Sequence, residues 1–463
     1  MKFNFKRIIQ FELNEVSKIA VDTLIAKGKL PHFKQINEQW TYLETTSEYT
    51  YELLEPWIQW ITAHTGKTFA EHQIFHLSDA VHLKHPQIWE TLSAQGIESG
   101  IVGSMNALRG ETKGGFFFPD PWSRKGATHP KNIQPLWDLI SKKVQSHATA
   151  SITFSDLWKS LKICRAFKFP FSLYQRIAYQ LISEKLDPFM RWKLPGIFDL
   201  FLTQIFKWLL SVSNYNFYTL FLNACAHYQH HYWRNFQPEL FNEKIKSPDC
   251  EPHHDPLTYG LELYDNIIAL ALELAKDPET LVLIVTGLSQ VPFTEKENEG
   301  GMNYYRLYDH KALLKKLWLN NYRVVPLMSR DWQIEAKMQS ELDQAKIRLS
   351  HLSVNNHPLF RITQNTPYSL FIETAFTKGI QEETEIRDLK KSIGLFINYF
   401  HNIAVKSGHH QGIGSIWSSA NLPFDKPQIP LTTLYPFTLE TLGVTSRDNV
   451  NIVQRRKETF VPQ

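Results

Sequence analysis

The sequence predicts an α/β fold in which a mainly parallel β-sheet is flanked by helices, with a helical cap inserted between its strands. Strand-like stretches of seven residues rich in apolar side chains, such as RIIQFEL at 7–13 and TLVLIVT at 280–286, alternate along the chain with longer helical patterns. Strands that are apolar on both faces are typical of a parallel sheet covered by helices on both sides. The chain of 463 residues is long enough for one large domain with insertions.

The N-terminal elements begin this alternation. The strand at 7–13 is followed by a helical stretch from Val16 and by a second helical pattern that ends at Gly66. Glycine just beyond the last helical residue is a usual stop signal. A helix near Ile88 and a strand at 99–105 continue the pattern.

The alternation returns from residue 216 onward. The expected elements are a buried strand at 216–223, a helix at 258–276, a strand at 280–286, a helix at 311–319 and a strand at 322–327. Helix and short strands are expected to alternate through 330–400, and glycines cluster in GHHQGIG at 408–414.

The segment between these two parts has a different character. FFFPDPW at 116–122 is predicted as a loop, and the residues after it are helical in pattern, aromatic and basic. We interpret 111–215 as a helical aromatic cap inserted into a core formed by 1–110 and 216–445, with a polar tail at 446–463. Aromatic residues make up 13% of the chain, which fits either a well-packed core or an aromatic-lined groove.

Composition excludes several classes of protein. Lysine and arginine number 50 against 46 aspartate and glutamate, a balance too even to indicate a nucleic-acid partner. The three cysteines are odd in number and form no C-x-x-C pair, which excludes a disulfide scaffold and is typical of a reducing compartment. The N-terminus lacks a signal-peptide pattern, and polar residues interrupt the most apolar stretch, 194–210. We therefore expect a soluble, cytoplasmic protein without a transmembrane segment.

Reactive groups in an open parallel sheet lie on the loops beyond the carboxyl ends of the strands. Four such loops are expected here, after Leu13, after Asn223, after Thr286 and around the pair His409-His410. Three of them carry polar or imidazole side chains, and this predicts a shared cleft.

Five motifs on these elements, in the same order along the chain, resemble the alkaline phosphatase superfamily and, within it, the type I phosphodiesterase and nucleotide pyrophosphatase branch. The motifs are IIQFELNEV with GKLPHFKQI, HTGKTFAEHQI, AHYQHHYW, LVLIVTGLSQ and SGHHQGIGSIW. The resemblance covers most of residues 7–420. It implies an alkaline-phosphatase-like core, and catalysis of phosphoryl chemistry with two divalent metals that activate a nucleophile and stabilise charge.

The resemblance also implies that the metal centre is degenerate. In the first metal site, Asn14 matches the opening aspartate and Leu288-Ser289 matches an Asp-His pair, so this site lacks its anionic ligands. In the second site, His230 and His410 match the two imidazoles, but Ala226 stands in place of the carboxylate.

At most one ion, zinc or manganese, is therefore expected on His230 and His410, with His409 beside them. Two imidazoles alone hold zinc poorly, since catalytic sites use three protein ligands. The candidates for a third ligand are His227, His231 and Glu12. A metal-free protein fits the sequence equally well, with the histidines bonded to backbone carbonyls. Either way, the prediction requires His230 and His410 to meet at the rim of the sheet.

The position of the family's nucleophile is open. Counting back from the Thr-Gly pair at 65–66 reaches Pro56, which has no reactive oxygen, whereas counting forward from the preceding strand reaches Thr50. Glu55 is an alternative carboxylate in the same loop. The candidate catalytic residues are therefore Thr50, Glu55 and Asn14.

Three further residues are candidates for substrate contacts. Glu12 and Asn14 lie on one face of a strand end, because side chains alternate along a strand. Trp57 and Trp60 place two indoles next to the Glu55 loop, a combination that suits a sugar but is also typical of an ordinary helix N-terminus. Gln290 offers a neutral donor and acceptor at the edge of the sheet. The substrate-binding candidates are Glu12, Trp57 and Gln290.

Two main hypotheses for function follow. The first is a phosphodiesterase- or phosphatase-like hydrolase that acts on a phosphate ester, linked to a nucleotide, a sugar or a glycan, through a reduced metal site. The second is a pseudoenzyme of the same fold that binds a ligand or partner. A metal-free glycan-binding or transferase variant ranks third. P-loop kinases, simple dinucleotide enzymes, α/β-hydrolases and zincins are excluded, since their motifs are missing from the sequence. The sequence does not predict an oligomeric state.

Overall fold

The computed structural model describes five stretches of the chain, which are 5–77, 79–123, 126–145, 154–327 and 330–444. The chain divides into two compact units. The first unit comprises Met1–His230, Asp255–Val291 and His409–Gln463, and the second comprises His231–His254 and Pro292–Gly408. The predicted polar tail at 446–463 lies outside the described residues.

The α-helices of the described residues are, in chain order, α1 (Lys18–Ala26), α2 (Pro31–Gln39), α3 (Pro56–Thr65), α4 (Phe69–His72), α5 (Ile88–Ala94), α6 (Gln134–Gln145), α7 (Phe154–Ala166), α8 (Phe171–Leu186), α9 (Leu194–Val212), α10 (Ala224–Phe236), α11 (Pro256–Leu274), α12 (His310–Lys316), α13 (Gln339–Ser350) and α14 (Leu434–Thr441). We find among them no helix whose length and hydropathy would allow it to cross a bilayer.

The strands are β1 (Arg7–Leu13), β2 (Thr41–Thr46), β3 (Ser99–Val102), β4 (Phe116–Phe118), β5 (Phe217–Leu222), β6 (Thr280–Val285), β7 (Ser289–Pro292), β8 (Asn303–Leu307), β9 (Arg323–Pro326), β10 (Trp332–Glu335), β11 (Leu352–Val354), β12 (His357–Pro358), β13 (Phe360–Thr366), β14 (Ser369–Thr374), β15 (Glu385–Asp388), β16 (Lys391–Leu395), β17 (Phe400–Val405), β18 (Gly408–Gln411), β19 (Ile413–Ser418) and β20 (Gln428–Pro430).

An eight-stranded sheet with the order β20-β2-β19-β6-β1-β5-β3-β4 organises the first unit. Only β19 runs antiparallel to its neighbours, and the other strand pairs are parallel. The three central strands, β6, β1 and β5, are apolar and almost completely buried because helices cover both faces of a parallel sheet. The prediction of a mainly parallel sheet flanked by helices is confirmed.

The register of the central strands sets the position of the functional groups. Leu13 at the end of β1 pairs with Leu222 at the end of β5, and Glu12 pairs with Val285 at the end of β6. The carboxyl ends of the three strands therefore stop at the same rim. Side chains that follow these strands meet there, as the sequence predicts.

One local prediction is wrong. Residues 116–118, which the sequence indicates as part of a loop, form the edge strand β4, parallel to β3. The three phenylalanines are buried, so hydrophobic packing at the sheet edge outweighs the turn signal of Pro119 and Pro121. Residues 111–215 also supply helices α6 to α9, and their role as a cap stays a prediction.

The second unit is built mainly from antiparallel strands. It contains one sheet of order β13-β14-β10-β9, another of order β12-β11-β15-β16, and the ribbon β8-β17. Its helices α12 and α13 pack on an apolar core of its own, whose largest members include Trp332, Phe360, Phe396 and Phe400. The three cysteines of the chain, Cys164, Cys225 and Cys250, all lie among the described residues, where they are buried and not joined in disulfides.

Candidate metal centre

Three side chains converge at the rim where β1, β5 and β6 end. The Nε2 atoms of His230 and His410 lie 3.0 and 3.1 Å from Oε2 of Glu15, and they are 3.1 Å from each other. The two imidazole rings meet edge to face. Among the described residues, these three form the only group of at least three acidic, histidine or cysteine side chains with ligand atoms this close together.

Glu15 owes its direction to the end of β1. Its amide donates to the carbonyl of Thr286, and the amide of Asn14 donates to Leu222, so both neighbouring strands hold the turn. Glu15 has a φ of +57°, a left-handed conformation that costs a non-glycine residue of order 1 kcal/mol. Backbone strain of this kind is concentrated at functional sites.

The two histidines come from different elements. His230 lies on α10, which follows β5, and the neighbouring Gln229 fixes this helix against the end of β1. The side-chain Nε2 of Gln229 donates to the backbone carbonyl of Glu15, and its Oε1 accepts from the backbone N–H of Ser17, both at 2.8 Å. His410 lies on β18, which pairs with β7 beyond β6. The geometry of the group is therefore set by the main sheet and its connections.

The carboxylate of Glu15 is buried and held at both oxygens. Gln290 donates to Oε2, the oxygen that faces the histidines, and to the carbonyl of Ala226. Asn14 donates to Oε1 at 2.9 Å. The amide of Asn14 is in turn fixed by the indole of Trp60, at 2.7 Å from Oδ1, and by Asn223. This network leaves the carboxylate little freedom to rotate.

Electrostatics favour the anionic form of Glu15. Burial by itself raises the pKa of this carboxyl, but the charges of His410 and His230 and the hydrogen bonds from both rings outweigh that effect. The pKa of Glu15 is therefore held well below its ordinary value. The carboxylate of Glu15 therefore stays ionised, and together with the two imidazoles it forms a set of three potential metal ligands that carries one negative charge.

The residues fit a single divalent cation. Two imidazole nitrogens and one carboxylate oxygen are a donor set of catalytic zinc, which keeps its fourth position open, and manganese accepts the same donors. Ligands about 2.0–2.1 Å from a tetrahedral zinc ion are about 3.3 Å apart, close to the separations observed here. Because the two Nε2 atoms are 3.1 Å apart, either one proton or one cation must lie between their lone pairs.

The second ring nitrogen of His410 faces another carboxylate. Its Nδ1 lies 3.9 Å from Oε2 of Glu55, which is half-buried at the N-terminus of α3. Carboxylates behind a histidine ligand fix its tautomer and make it more basic. At 3.9 Å the Glu55 carboxylate is an ion-pair neighbour of His410 at a distance longer than a hydrogen bond, and it is partly open to solvent.

The structure brings together His230 and His410, as the sequence predicts, but it supplies a third partner that the sequence analysis missed. The expected third ligands, His227, His231 and Glu12, are not part of the group. Glu15 takes that place, at the position where the resembled family has the glycine of its Asp-Gly pair. A glutamate at a position that requires a left-handed backbone is the signal that could have identified it.

Glu12 and Asn14 lie on the same face of β1, under helix α3. Glu12 is fully buried and accepts hydrogen bonds from Gln10, His64 and Ser104. In this conformation it has no access to solvent. Asn14 is fully buried too, and its amide contacts the carboxylate of Glu15 from behind.

The remaining candidates lie around the group. Thr50 is exposed and begins the short 3₁₀ turn before α3. Trp57 is half-buried and donates to the carbonyl of Phe75. Gln290 is fully buried against Glu15, and the ring of His409 lies 6.2 Å from that of Tyr51. Their catalytic, metal-binding and substrate-binding roles stay predictions.

No family model and no curated protein matches this chain. Solved structures do match it at low identity. Phosphonoacetate hydrolase from Sinorhizobium meliloti 1021 is 13% identical with a TM-score of 0.42, and 95% of this chain and 96% of that chain are covered. Human ectonucleotide pyrophosphatase/phosphodiesterase 5 is 13% identical with a TM-score of 0.44 and coverage of 96% and 99%. Alkaline phosphatase from the Antarctic bacterium TAB5 is 9% identical with a TM-score of 0.40 and coverage of 96% and 100%.

An alkaline phosphatase and a nucleotide pyrophosphatase/phosphodiesterase are therefore among the structures to which the fold of this chain is similar.

Proposed function

We propose that this protein is a phosphodiesterase- or phosphatase-like hydrolase that acts on a phosphate ester with one zinc or manganese ion held by Glu15, His230 and His410. The observation that supports this proposal is the convergence of three donor atoms within 3.1 Å of one another at the rim of a parallel sheet, where reactive groups of such folds lie. A divalent ion at this position supplies a Lewis acid for a phosphoryl oxygen and lowers the pKa of a bound water.

In this proposal, Glu15 contributes charge and rigidity. Its buried carboxylate reduces the charge of the site from +2 to +1, which leaves an attraction for an anionic phosphate ester. Gln290 and Asn14 hold its two oxygens. A preorganised site of this kind does not need to rearrange while charge develops on the substrate.

Glu55 is the proposed proton acceptor. It orients His410 through Nδ1, and its partly exposed carboxylate is able to receive a proton from a water or hydroxyl that attacks phosphorus. Thr50, in the same connection before α3, is the alternative nucleophile that the family resemblance suggests. The two roles are separable, because Glu55→Gln removes a base whereas Thr50→Val removes a hydroxyl.

The substrate proposed is a small phosphate ester linked to a nucleotide, a sugar or a glycan. Trp57 follows Glu55 at the start of α3 and offers an indole face to a base or a sugar ring. His409, next to His410, offers a further imidazole for the anionic group.

Metal content, zinc affinity and turnover test the proposal. Wild-type protein should contain about one zinc or manganese ion per chain and hydrolyse nitrophenyl phosphate monoesters or diesters. Loss of a residue that hydrogen-bonds to a metal ligand typically costs 10–100-fold in metal affinity. Glu15 is proposed as a ligand itself, so Glu15→Gln should reduce zinc affinity by at least about 100-fold. His230→Ala should abolish turnover. The exposed His253, which is not part of the group, provides the matched control His253→Ala, for which no change is expected.

Two results would contradict the proposal. One is a metal-free protein whose melting temperature responds neither to chelator nor to added zinc. The other is turnover that survives His230→Ala unchanged.

A pseudoenzyme that binds a phosphate ligand is the second candidate, and one observation favours it. The described residues provide one three-ligand group rather than two, and Leu288, which matches a ligand of the missing ion, is completely buried. On this alternative, the protein binds zinc, and inorganic phosphate raises its melting temperature, but hydrolysis does not exceed that of His230→Ala.

A further inference from the structure

Helix α8 has an inner face that is buried in the fold and an opposite face that exposes large apolar side chains. Leu173 and Gln180 on its inner face are buried. Phe171, Tyr179, Ile182 and Leu186 lie on the other side, where they are between 59% and 81% exposed. At 3.6 residues per turn, these four side chains fall within an arc of about 80°. They form an apolar stripe on this side of the helix, interrupted by the exposed Gln175 between Phe171 and Tyr179, and we call it the α8 stripe.

Basic side chains border the α8 stripe. Arg176 and Lys185 are exposed on either side of it, about 60° and about 40° around the helix from the nearest stripe residue. The preceding helix α7 also exposes apolar side chains next to a basic one. Trp158 and Leu161 are exposed there, and the ammonium of Lys162 lies over the Trp158 ring.

The charge of this region is one-sided. Residues 158–193 contain eight lysines and arginines and two acidic residues, a net charge of +6 against +4 for the whole chain. Seven of the basic residues are exposed, whereas both acidic residues, Glu184 and Asp187, are half-buried. Gln180 donates to Glu184 and the amide of Phe189 donates to Asp187. The solvent-facing side of the region is therefore cationic and apolar.

The core of the first unit does not need the exposed stripe. Phe167 and Phe169, between α7 and α8, are buried and pack edge-on or tilted against Trp208 and Phe201 of α9. Internal packing is thus already provided by other side chains. Contiguous apolar surface on a protein marks an interaction site more often than single exposed residues do.

We propose that the exposed faces of α7 and α8 bind the surface of an anionic lipid membrane, with the α8 stripe inserted between headgroups and the flanking lysines and arginines on the lipid phosphates. An apolar stripe bordered by cations, with Trp and Phe on the apolar side, is the pattern of a helix that lies in the plane of a membrane. Lysine and arginine stems follow the apolar surface while their charges remain at headgroup level. This proposal is independent of the proposed hydrolase activity.

Vesicle co-sedimentation of the full chain tests the proposal. Vesicles of phosphatidylcholine alone are compared with vesicles that contain about one third phosphatidylserine, and binding to the anionic vesicles should be at least about 10-fold stronger. The double variant Ile182→Ser/Leu186→Ser should weaken binding by at least about 10-fold because it removes two apolar anchors. Lys185→Glu should weaken it by about 10-fold through charge alone.

Tyr368→Ser in the second unit is the matched control, since it removes an exposed aromatic residue elsewhere. It should leave binding unchanged. The melting temperature of each variant shows whether the fold is intact, and Lys185→Glu still tests the surface if the double variant does not fold.

Three outcomes would overturn the proposal. The first is equal binding to neutral and anionic vesicles, or binding to neither. The second is binding that all the α8 variants leave unchanged. The third is a concentration-dependent increase in mass in the absence of lipid that Ile182→Ser/Leu186→Ser removes, since the stripe would then cover a second copy of this chain.

Discussion

Two glutamates near the end of β1, Glu12 and Glu15, each pair with histidine but in different surroundings. Glu12 and its partner His64 are completely buried between the sheet and α3. Glu15 is buried as well, but the side chains of His230 and His410 are 26% and 9% exposed. Two acid–imidazole groups of the same chemistry, three residues apart, therefore differ in access to solvent.

The partners of the two carboxylates explain what this difference means. Glu12 is satisfied by an amide, an imidazole and a hydroxyl from Gln10, His64 and Ser104, which point inward from separate directions. Two imidazoles point at one oxygen of Glu15, and one of them, that of His230, is partly exposed to solvent. A closed network of this kind stabilises the fold, whereas an open convergence of ligand atoms offers a site to a cation.

Stability measurements should separate the two networks most strongly. Glu12→Ala leaves the donors of His64, Ser104 and Gln10 without their acceptor inside the core, and we expect the free energy of unfolding to fall by about 3–5 kcal/mol. Glu15→Ala in metal-free protein should cost less, about 1–3 kcal/mol, because Asn14 and Gln290 keep second acceptors on Asn223 and Ala226 and the side chain of His230 is partly exposed. Urea denaturation with chelator present measures both. Equal decreases in the free energy of unfolding for the two variants would contradict the distinction between a closed and an open network.

The pH dependence of stability provides a second comparison. The pKa of Glu15 is lowered from 4.5 by its histidines, so its stabilising contribution is complete above about pH 4.5 and is lost as the pH falls toward the lowered pKa. Asp199 has the opposite behaviour. Burial outweighs its hydrogen bonds from Tyr264 and two backbone amides and raises its pKa from 3.8 to about 6. Its ionisation therefore costs stability above about pH 6, and that cost disappears as the pH falls to about 4.

Glu15→Gln and Asp199→Asn should accordingly give pH profiles of opposite slope. The difference in free energy of unfolding between the wild type and Glu15→Gln should be constant from pH 7 to about 4.5 and should become smaller below that pH. Relative to Asp199→Asn, the wild type should gain about 2–3 kcal/mol between pH 7 and about 4. Urea denaturation at a series of pH values measures both profiles. Parallel profiles would show that the histidines do not hold the charge of Glu15.

The strands and the meeting of the two histidines could be predicted from the sequence, because they depend on short-range pattern and on a rule of topology. The patterns at 7–13, 216–223 and 280–286 indicate the central parallel strands, and His230 follows one of them, β5. His410 lies on β18, outside the main sheet, and its place beside His230 was indicated by the order of the family motifs. The shared face of Glu12 and Asn14 was also predictable from strand alternation. Helix α3 covers this face and places His64 on Glu12 and Trp60 on Asn14. These contacts depend on tertiary packing, which the local sequence pattern does not describe.

Glu15 could not be placed by the same reasoning. Ala226 stands where the family resemblance places a carboxylate, and the candidates for a third ligand were His227, His231 and Glu12, whereas the structure supplies this ligand from Glu15. The side chain of Glu15 reaches the histidines because its φ is positive, and strand alternation does not describe a residue with that conformation.

The smallest expected effect concerns two tryptophans on either side of His64. Trp60 and Trp89 are both completely buried, and each donates through Nε1 at 2.7 Å, Trp60 to Asn14 and Trp89 to the carbonyl of Leu108. Their rings lie 5.7 and 4.9 Å from that of His64. Replacement of either by phenylalanine removes one buried donor, and each change should lower the free energy of unfolding by about 1–3 kcal/mol.

Only Trp60→Phe should also change the affinity for zinc, because Trp60, unlike Trp89, donates to the side-chain amide of Asn14 that holds Glu15. Trp60 contacts Asn14 and not Glu15 itself, so it should contribute less to zinc affinity than a residue bonded directly to the ligand. A loss of about 3–10-fold is expected. Trp89→Phe should stay within about 2-fold of wild type, as measured by competition with a chelating dye. If both variants lost affinity equally, general loosening around His64 would explain the effect, and the path from Trp60 through Asn14 to Glu15 would have no role in metal binding.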